Sequence, residues 1–318
     1  MKIDLGKLTT QHQLLFAVPL EPVQGKRFQP TGFPDLGAAT YETPEGGLAL
    51  LVESAQSMAN RLEGTCWDEA AQGLVPKLKG LSYLKVVDEK GAYLTSSVTE
   101  AHRLNSPYIL EGKDRSFFNL LKEELGAFES GPIDRRKLAD TLFKYDAGSL
   151  VHGVFLAKKE LAGGRLRIAR ALAAFIEANG VAVAASGGVK NDHVDPSGDT
   201  SKGFGNVPFH RDEYTARAVA LFANVDLAQI RGYGLPEHAT RLITLLCLYK
   251  LRALLDRKLR LRTACDLKLV GDQIESTNVP GFALPSLTDL EGAVAAGITE
   301  CASLFGGENG VTTVTYKA

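Results

Sequence analysis

The sequence predicts an α+β fold, and three observations point to it. A strand–helix–strand order opens the chain and another closes it. The segment Leu259 to Leu269 alternates strictly, with Leu259, Leu261, Thr263, Cys265, Leu267 and Leu269 on one side and Arg260, Arg262, Ala264, Asp266 and Lys268 on the other. That period of two is the mark of a strand with one wet face. Between the two halves lies a long stretch of different character, read as a large central insertion.

The elements follow in order. Gln13 to Val18 is a short apolar run, read as a buried strand, and a Pro/Gly-rich connection runs from Pro19 to Pro44. Leu51, Val52, Ala55, Met58, Ala59 and Leu62 follow the i, i+3, i+4 spacing of an amphipathic helix that ends at Gly64. Tyr83 to Val87 and Ala92 to Ser97 flank Asp88-Glu89-Lys90-Gly91 as a hairpin. Ser116 to Leu125 and Asp134 to Tyr145 read as helices, Leu150 to Leu156 as a strand. Leu166 to Ala178 puts Ile168, Leu172, Phe175 and Ile176 on one helical face, with Asn179-Gly180 as its C-cap. Val181 to Ala185 is a strand. Tyr214 to Ile230 fits both helix and strand templates. Pro236 to Asp256 is a helix with a leucine face, Ser286 to Leu304 a final helix, and Val311 to Tyr316 a last strand. Two strand–helix–strand halves of this kind make a ferredoxin-like, RRM-like sheet, whose open face is a common RNA platform.

The most informative stretch is Ser186 to Tyr214. It is polar and rich in Gly, Asn, Asp and His, with neither helical nor strand periodicity. Loops of that length inside a compact domain are usually functional or disordered.

Bulk properties narrow the function classes. The 318 residues carry 36 basic and 37 acidic side chains, a net charge of −1, so nucleic-acid binding requires charge focused on one face. The four cysteines are far apart, which argues against a disulfide framework or structural zinc and fits a reducing cytoplasm. No apolar run is long enough for a membrane span. Walker, G-x-S-x-G, H-E-x-x-H and kinase signatures are missing. Gly203-Phe204-Gly205 lacks the third glycine of a dinucleotide fingerprint.

Several polar groups are candidate ligands, each with a plainer reading beside it. Ser57, Asn60 and Arg61 occupy the polar side of the first helix, as surface or as contacts. His102, Arg103 and Asn105 follow a strand end, where loops carry function. Arg231-Gly232-Tyr233-Gly234 matches the first four positions of the RRM signature and then departs from it at Leu235 and Pro236, so a Gly-rich turn competes. Asp192-His193-x-Asp195 can be drawn as a metal or acid–base cluster, but it sits in a Gly/Pro loop without rigid support. His152, on an apolar run, reads as a hydrogen-bonded core histidine.

The same segments carry a family resemblance. ATYE (Ala39–Glu42), VESAQSMANRLE (Val52–Glu63), EAHRLNSPYI (Glu100–Ile109), SLVHGVFLA (Ser149–Ala157), SGGVKND (Ser186–Asp192), GFGNVPFHRDEYTA (Gly203–Ala216), DLAQIRGYGL (Asp226–Leu235) and LRLRTACDL (Leu259–Leu267) resemble the RAMP-type backbone subunit of the type I-U (also I-G) CRISPR Cascade effector. The similarity runs from about Leu20 to Leu269.

The resemblance implies a modified ferredoxin-like palm with insertions that form fingers and a thumb. It divides the chain into a first palm half (1–99), inserted fingers (100–185), a thumb-like loop (186–212), a second palm half (213–270) and a C-terminal helix and strand (271–318). It also tips Tyr214–Ile230 towards strand. The implied function is a non-catalytic scaffold that polymerises along CRISPR guide RNA and meets target DNA through the guide. Its partners are copies of itself and other Cascade subunits, with no cofactor or metal. Backbone contacts of this sort carry no base information, so one repeated subunit holds any guide. Lys26, Arg27, Ser57, Asn60, Arg61, Arg103 and Arg231 are the expected palm contacts, with His102 and Asn105 as further RNA-binding candidates. Lys190, Asn191, Lys202 and Arg211 are further candidates, and Phe204, Val207 and Phe209 are candidate wedges on the thumb. The stretch Ser186–Tyr214 holds three basic and five acidic residues, which cuts against a purely electrostatic thumb. The competing readings are a metal-dependent endoribonuclease using Asp192 or Asp195, and a small-molecule enzyme built on Asp192 and His210.

Overall fold

Strand β1 (Gln13–Pro22) lies in the interior of the main sheet and buries Leu14, Phe16, Val18 and Leu20 on one face. The computed structural model describes residues 3–33, 37–125, 133–257 and 259–317. After β1 come β2 (Thr40–Glu42), β3 (Leu48–Glu53) and helix α1 (Ala55–Gly64). Strands β4 (Tyr83–Val87) and β5 (Tyr93–Ser96) form the expected hairpin. A helical region follows, with α2 (Ser116–Leu125), α3 (Arg135–Tyr145) and α4 (Ala147–His152), and then the small ribbon of β6 (Val154–Leu156) and β7 (Leu166–Ile168). Next are β8 (Leu172–Asn179), β9 (Ala182–Lys190), β10 (Val207–Thr215) and β11 (Ala218–Asp226). The chain closes with α5 (Leu227–Gly232), α6 (Glu237–Asp256), β12 (Leu259–Arg262), β13 (Cys265–Leu269), α7 (Leu287–Cys301) and β14 (Val311–Thr315).

The main sheet runs in the order β12-β13-β1-β11-β8-β3-β2, and each paired neighbour is antiparallel. Helices α1 and α6 pack against one another, and α1 packs on β8. Met58 and Leu62 of α1 join the leucines of α6 in the buried core. A second, smaller sheet sets β14 parallel to β4, so the last strand anticipated from sequence is present.

The main sheet curls until its two ends approach. The Glu53 carboxylate, at the end of β3, accepts hydrogen bonds from Ser57 and Arg61 of α1 and from Arg262 of β12. Arg61 also donates to the backbone carbonyl of Leu261 at 2.5 Å. One buried acid therefore ties opposite ends of the sheet together.

Five local expectations are corrected. The segment Leu166–Ala178 is not a helix but β7 and β8. Leu172 and Ile176, four residues apart, satisfy both the helical and the period-two template, whereas Ala174 and Ala178 complete a buried strand face. Phe175, expected inside a helix face, lies on the opposite side of β8 and stacks on its cross-strand partner Phe222 at 5.3 Å between ring centroids. That strand belongs to the main sheet, although it falls in the range read as an insertion. Leu150–Leu156 divides into the end of α4 and β6, with Gly153 between them at φ 79°. A Cβ at Gly153 would stand 2.7 Å from the Ile168 carbonyl, so glycine allows the close approach of β7.

The long polar stretch is a loop only in its middle. Strands β9 and β10 pair over nine residues, from Ala182↔Thr215 to Lys190↔Val207, and only residues 191–206 connect them. Both faces of this ribbon are largely exposed, so burial imposes no alternation on its sequence. The helix from Leu51 starts instead at Ala55, capped by Ser54, whose hydroxyl accepts the Ser57 amide. The single strand read over Leu259–Leu269 is a tight hairpin, turned at Ala264 with φ 59°. The inward face survives because Leu259 pairs directly with Leu267.

Candidate functional site

A cleft of about 1210 Å³ opens beside the starting end of β8. Its walls come from α1, the turn 101–105, the N-terminus of α3, the β6–β7 ribbon and α5. Each wall is fixed by local chemistry. Asp134 caps α3 by accepting the amides of Arg136 and Lys137, which holds Arg135 at the first helical position. Asp226 caps α5 through the Gln229 amide, and the Gln229 side chain then donates to the Ala169 carbonyl and to Tyr233. Tyr233 in turn donates to the Leu150 carbonyl at 2.7 Å.

The lining is one-signed. His102, Arg103, Arg135, Arg167 and Arg170 all border the cleft, and among the described residues no carboxylate does. Arg135 and Arg167 are exposed and have no acidic partner among the described residues. Arg170 donates to Gln56 and to the Ala55 carbonyl. Burial and the neighbouring Arg103 charge push the Arg170 guanidinium down from its ordinary value, the signature of crowded cations. An anion in the cleft relieves that crowding. Phe155, 53% exposed, adds an aromatic face on the ribbon.

Behind the cleft lies a buried polar network. Arg103 donates through Nε and Nη2 to both oxygens of Glu63, each at 2.6 Å, and through Nη1 to the Gly153 carbonyl at 3.3 Å. The Lys250 ammonium lies 3.0 Å from Nε2 of buried His152, and Ser149 donates to Asp146 at 2.6 Å. Desolvation, then the nearby Lys250 and Arg103 charges, hold His152 well below its usual value, so the ring is neutral and accepts from Lys250. Desolvation raises Asp146 to about 6. The two have opposite effects on stability. His152 withdraws stability on acidification, because below about pH 6.5 the unfolded ring takes up a proton that the folded ring refuses. Asp146 adds stability as pH falls from about 6 towards 3.8. Between about pH 7.5 and 6 the histidine dominates. Urea midpoints over that interval should fall for the natural chain, by on the order of 1 kcal/mol, and stay flat for His152→Gln.

The structure separates the residues singled out from sequence. His102, Arg103 and Asn105 border the cleft, but Arg103 is buried in its ion pair and the Asn105 side-chain oxygen accepts the Ala157 amide. Ser57 and Arg61 serve Glu53, while Asn60 is exposed. Lys26, Arg27 and Arg211 gather at a second recess, of about 570 Å³, where β10 meets the connection after β1. There Arg27 and Arg211 both pair with buried Glu213, and Lys26 is exposed. Arg231 donates to the carbonyls of Leu8 and Gln11.

On the ribbon, Lys190 donates to the Gly203 carbonyl and Lys202 pairs with Asp199; Asn191 is exposed at the start of the tip. Phe204 and Phe209 are each about half exposed. Asp192 accepts the amides of Val194, Asp195 and Gly205, which hold its carboxyl below the usual range. It organises the tip of the ribbon. Among the described residues no group of three His, Cys, Asp or Glu side chains could hold a metal ion, and no helix is long and apolar enough to cross a membrane.

Sequence reasoning missed Gln56, Arg135, Phe155, Arg167 and Arg170. One signal was available: Arg165, Arg167 and Arg170 fall within six residues, and no acid stands between Glu160 and Glu177.

No curated protein matches the chain. Among solved structures, a chain of a "CRISPR RNA-guided surveillance complex, pre-nicking" is similar over 82% of this chain and 74% of its own, at 15% identity and TM-score 0.41. The crystal structure of Thermofilum pendens Csc2 is similar over 95% of this chain and 81% of its own, at 9% identity and TM-score 0.34. The family profile described as CRISPR-associated protein GSU0053 matches residues 14–183, more than half of the sequence and the span that carries β1, α1 and most of the cleft wall. The chain belongs to the GSU0053 family of CRISPR-associated proteins, a family of the RAMP type that its motifs resemble.

Proposed function

We propose that the chain is a non-catalytic backbone subunit of a type I-G (I-U) CRISPR Cascade, binding guide RNA in the basic cleft. Several copies line up along one guide in the cytoplasm and meet target DNA through base pairing. The observation that carries this reading is the cleft lined by five basic side chains and, among the described residues, no carboxylate. Two of those cations lack an acidic partner among the described residues, so a phosphate meets them without first breaking an ion pair. Family membership supports the same partner class.

The proposal assigns parts to the fold. Strands β13, β1, β11 and β8, backed by α1 and α6, act as a ferredoxin-like palm, with an order that corresponds to 4-1-3-2 of that fold. The α2–α4 region acts as fingers and the β9–β10 ribbon as the thumb. Phe204 and Phe209 are its wedge candidates, since aromatic faces stack on bases of any sequence.

Co-expression with a CRISPR guide tests the reading. The chain should purify as a ribonucleoprotein with nucleic-acid absorbance, and binding should weaken steeply as salt rises. Removing 188–205 should leave a folded chain, because Gly187 and His210 still face each other across a shortened hairpin. Ordered assembly on the guide, seen by electron microscopy, should be lost. A nucleotide-free particle, or metal-dependent cleavage of bound RNA that Asp192→Ala abolishes, overturns the proposal.

A further inference from the structure

We propose that Phe155 and Arg167 together form a subsite for a single nucleotide, with the base stacked on the Phe155 ring and its phosphate paired to the Arg167 guanidinium. The inference rests on the RNA-binding reading of the cleft and adds a stacking requirement to it.

The geometry comes from the β6–β7 ribbon. Phe155 and Arg167 are directly opposed partners in its antiparallel register, so both side chains leave the same face, and both line the cleft. Their neighbours in the pairing point the other way: Val154, Leu156 and Leu166 are buried in the core. Phe155 is 53% exposed beside Arg167, and the inward face of the ribbon is filled by Val154, Leu156 and Leu166, so its ring is available to the cleft. Opposed residues in an antiparallel pair sit about 4.5–5.5 Å apart at Cβ, a separation that suits a base on one side chain and its own phosphate on the other.

The ring is also held in place. Arg103, locked by Glu63, donates to the Gly153 carbonyl just before β6, and the Ala157 amide just after β6 donates to the Asn105 side chain. The strand carrying Phe155 is clipped at both ends to the same turn. Arg103 and Asn105 are thus positioning residues, and both were read from sequence as direct RNA contacts. Rigid aromatic platforms lose little entropy on stacking, and base–aromatic stacking tolerates any base. That tolerance is what a subunit holding variable guides requires.

The test uses the full chain and a single-stranded RNA carrying one 2-aminopurine, whose fluorescence falls on stacking. Phe155→Ala should weaken binding roughly tenfold, leave the salt dependence unchanged and abolish quenching at one register. Phe155→Trp should restore affinity and quenching, whereas Phe155→Leu, similar in volume but without a π face, should not. Arg167→Ala should instead make the salt dependence shallower. If Phe155→Leu binds and quenches like the natural chain, or Phe155→Ala is silent while Arg135→Ala weakens binding, the stacking subsite is wrong and the basic cleft stands. If Phe155→Ala, Arg135→Ala and Arg167→Ala are all silent, the cleft itself is not the RNA site.

Discussion

Replacing Arg135 and Arg167 together by alanine is expected to reduce affinity for single-stranded RNA at least tenfold near physiological salt, equivalent to about 1.4 kcal/mol. The two guanidiniums approach the cleft from different elements, α3 and β7, so they engage different phosphates. Each lost contact returns its share of condensed counterions, and a plot of log affinity against log salt should become shallower by about 1.4. Stability should hardly change, because both side chains are exposed and carry no ion pair among the described residues. Filter binding across a salt series reads both quantities. An unchanged slope would remove the cleft from the RNA path.

Arg103→Ala should behave in the opposite way, with a large loss of stability and a smaller loss of affinity. Its guanidinium and the Glu63 carboxylate are each only 8% exposed at the side chain and are joined by two short hydrogen bonds. Deleting one partner strands a buried charge, a change that costs about 3–5 kcal/mol. The paired change Glu63→Leu with Arg103→Met should recover most of that loss, since a buried ion pair is worth little more than well-packed apolar groups. Urea denaturation of the two single variants and the double variant measures the coupling. Natural stability in Arg103→Ala combined with abolished RNA binding would make Arg103 a direct ligand after all.

These contrasts show what could be read from residues alone. Helices with strong caps or a dense run of leucines were legible, as α3 and α6 demonstrate, although α6 is buried all round from Leu242 to Leu251. So was the inward face of Leu259–Leu269, even though the turn at Ala264 was not. The strand β8 was misread because Leu172 and Ile176 fit two periods at once and the alanines between them decide little. The β9–β10 ribbon was illegible for a different reason: a hairpin exposed on both sides has no buried face to write a pattern. Motif resemblance found the turn 102–105 and the segment holding Phe155, yet it gave Phe155 no role, and the folded chain engages Arg103 with Glu63 and Asn105 with the Ala157 amide. The cleft draws on Gln56, His102, Arg135, Phe155, Arg167 and Gln229, which no spacing rule connects. Conversely, Arg61, Arg211 and Arg231 looked available in sequence, but their partners Glu53, Glu213 and the carbonyls of Leu8 and Gln11 emerge only from the folded chain.

The knot of side chains around Glu53 has a consequence for the open rims of the sheet. Arg61 occupies the outward carbonyls of Arg260 and Leu261, Arg262 takes that of Gln29, and the Thr31 amide reaches the carbonyl of Val52. The rims at this seam are thereby closed to an incoming backbone, which removes an easy route to fibre-like stacking.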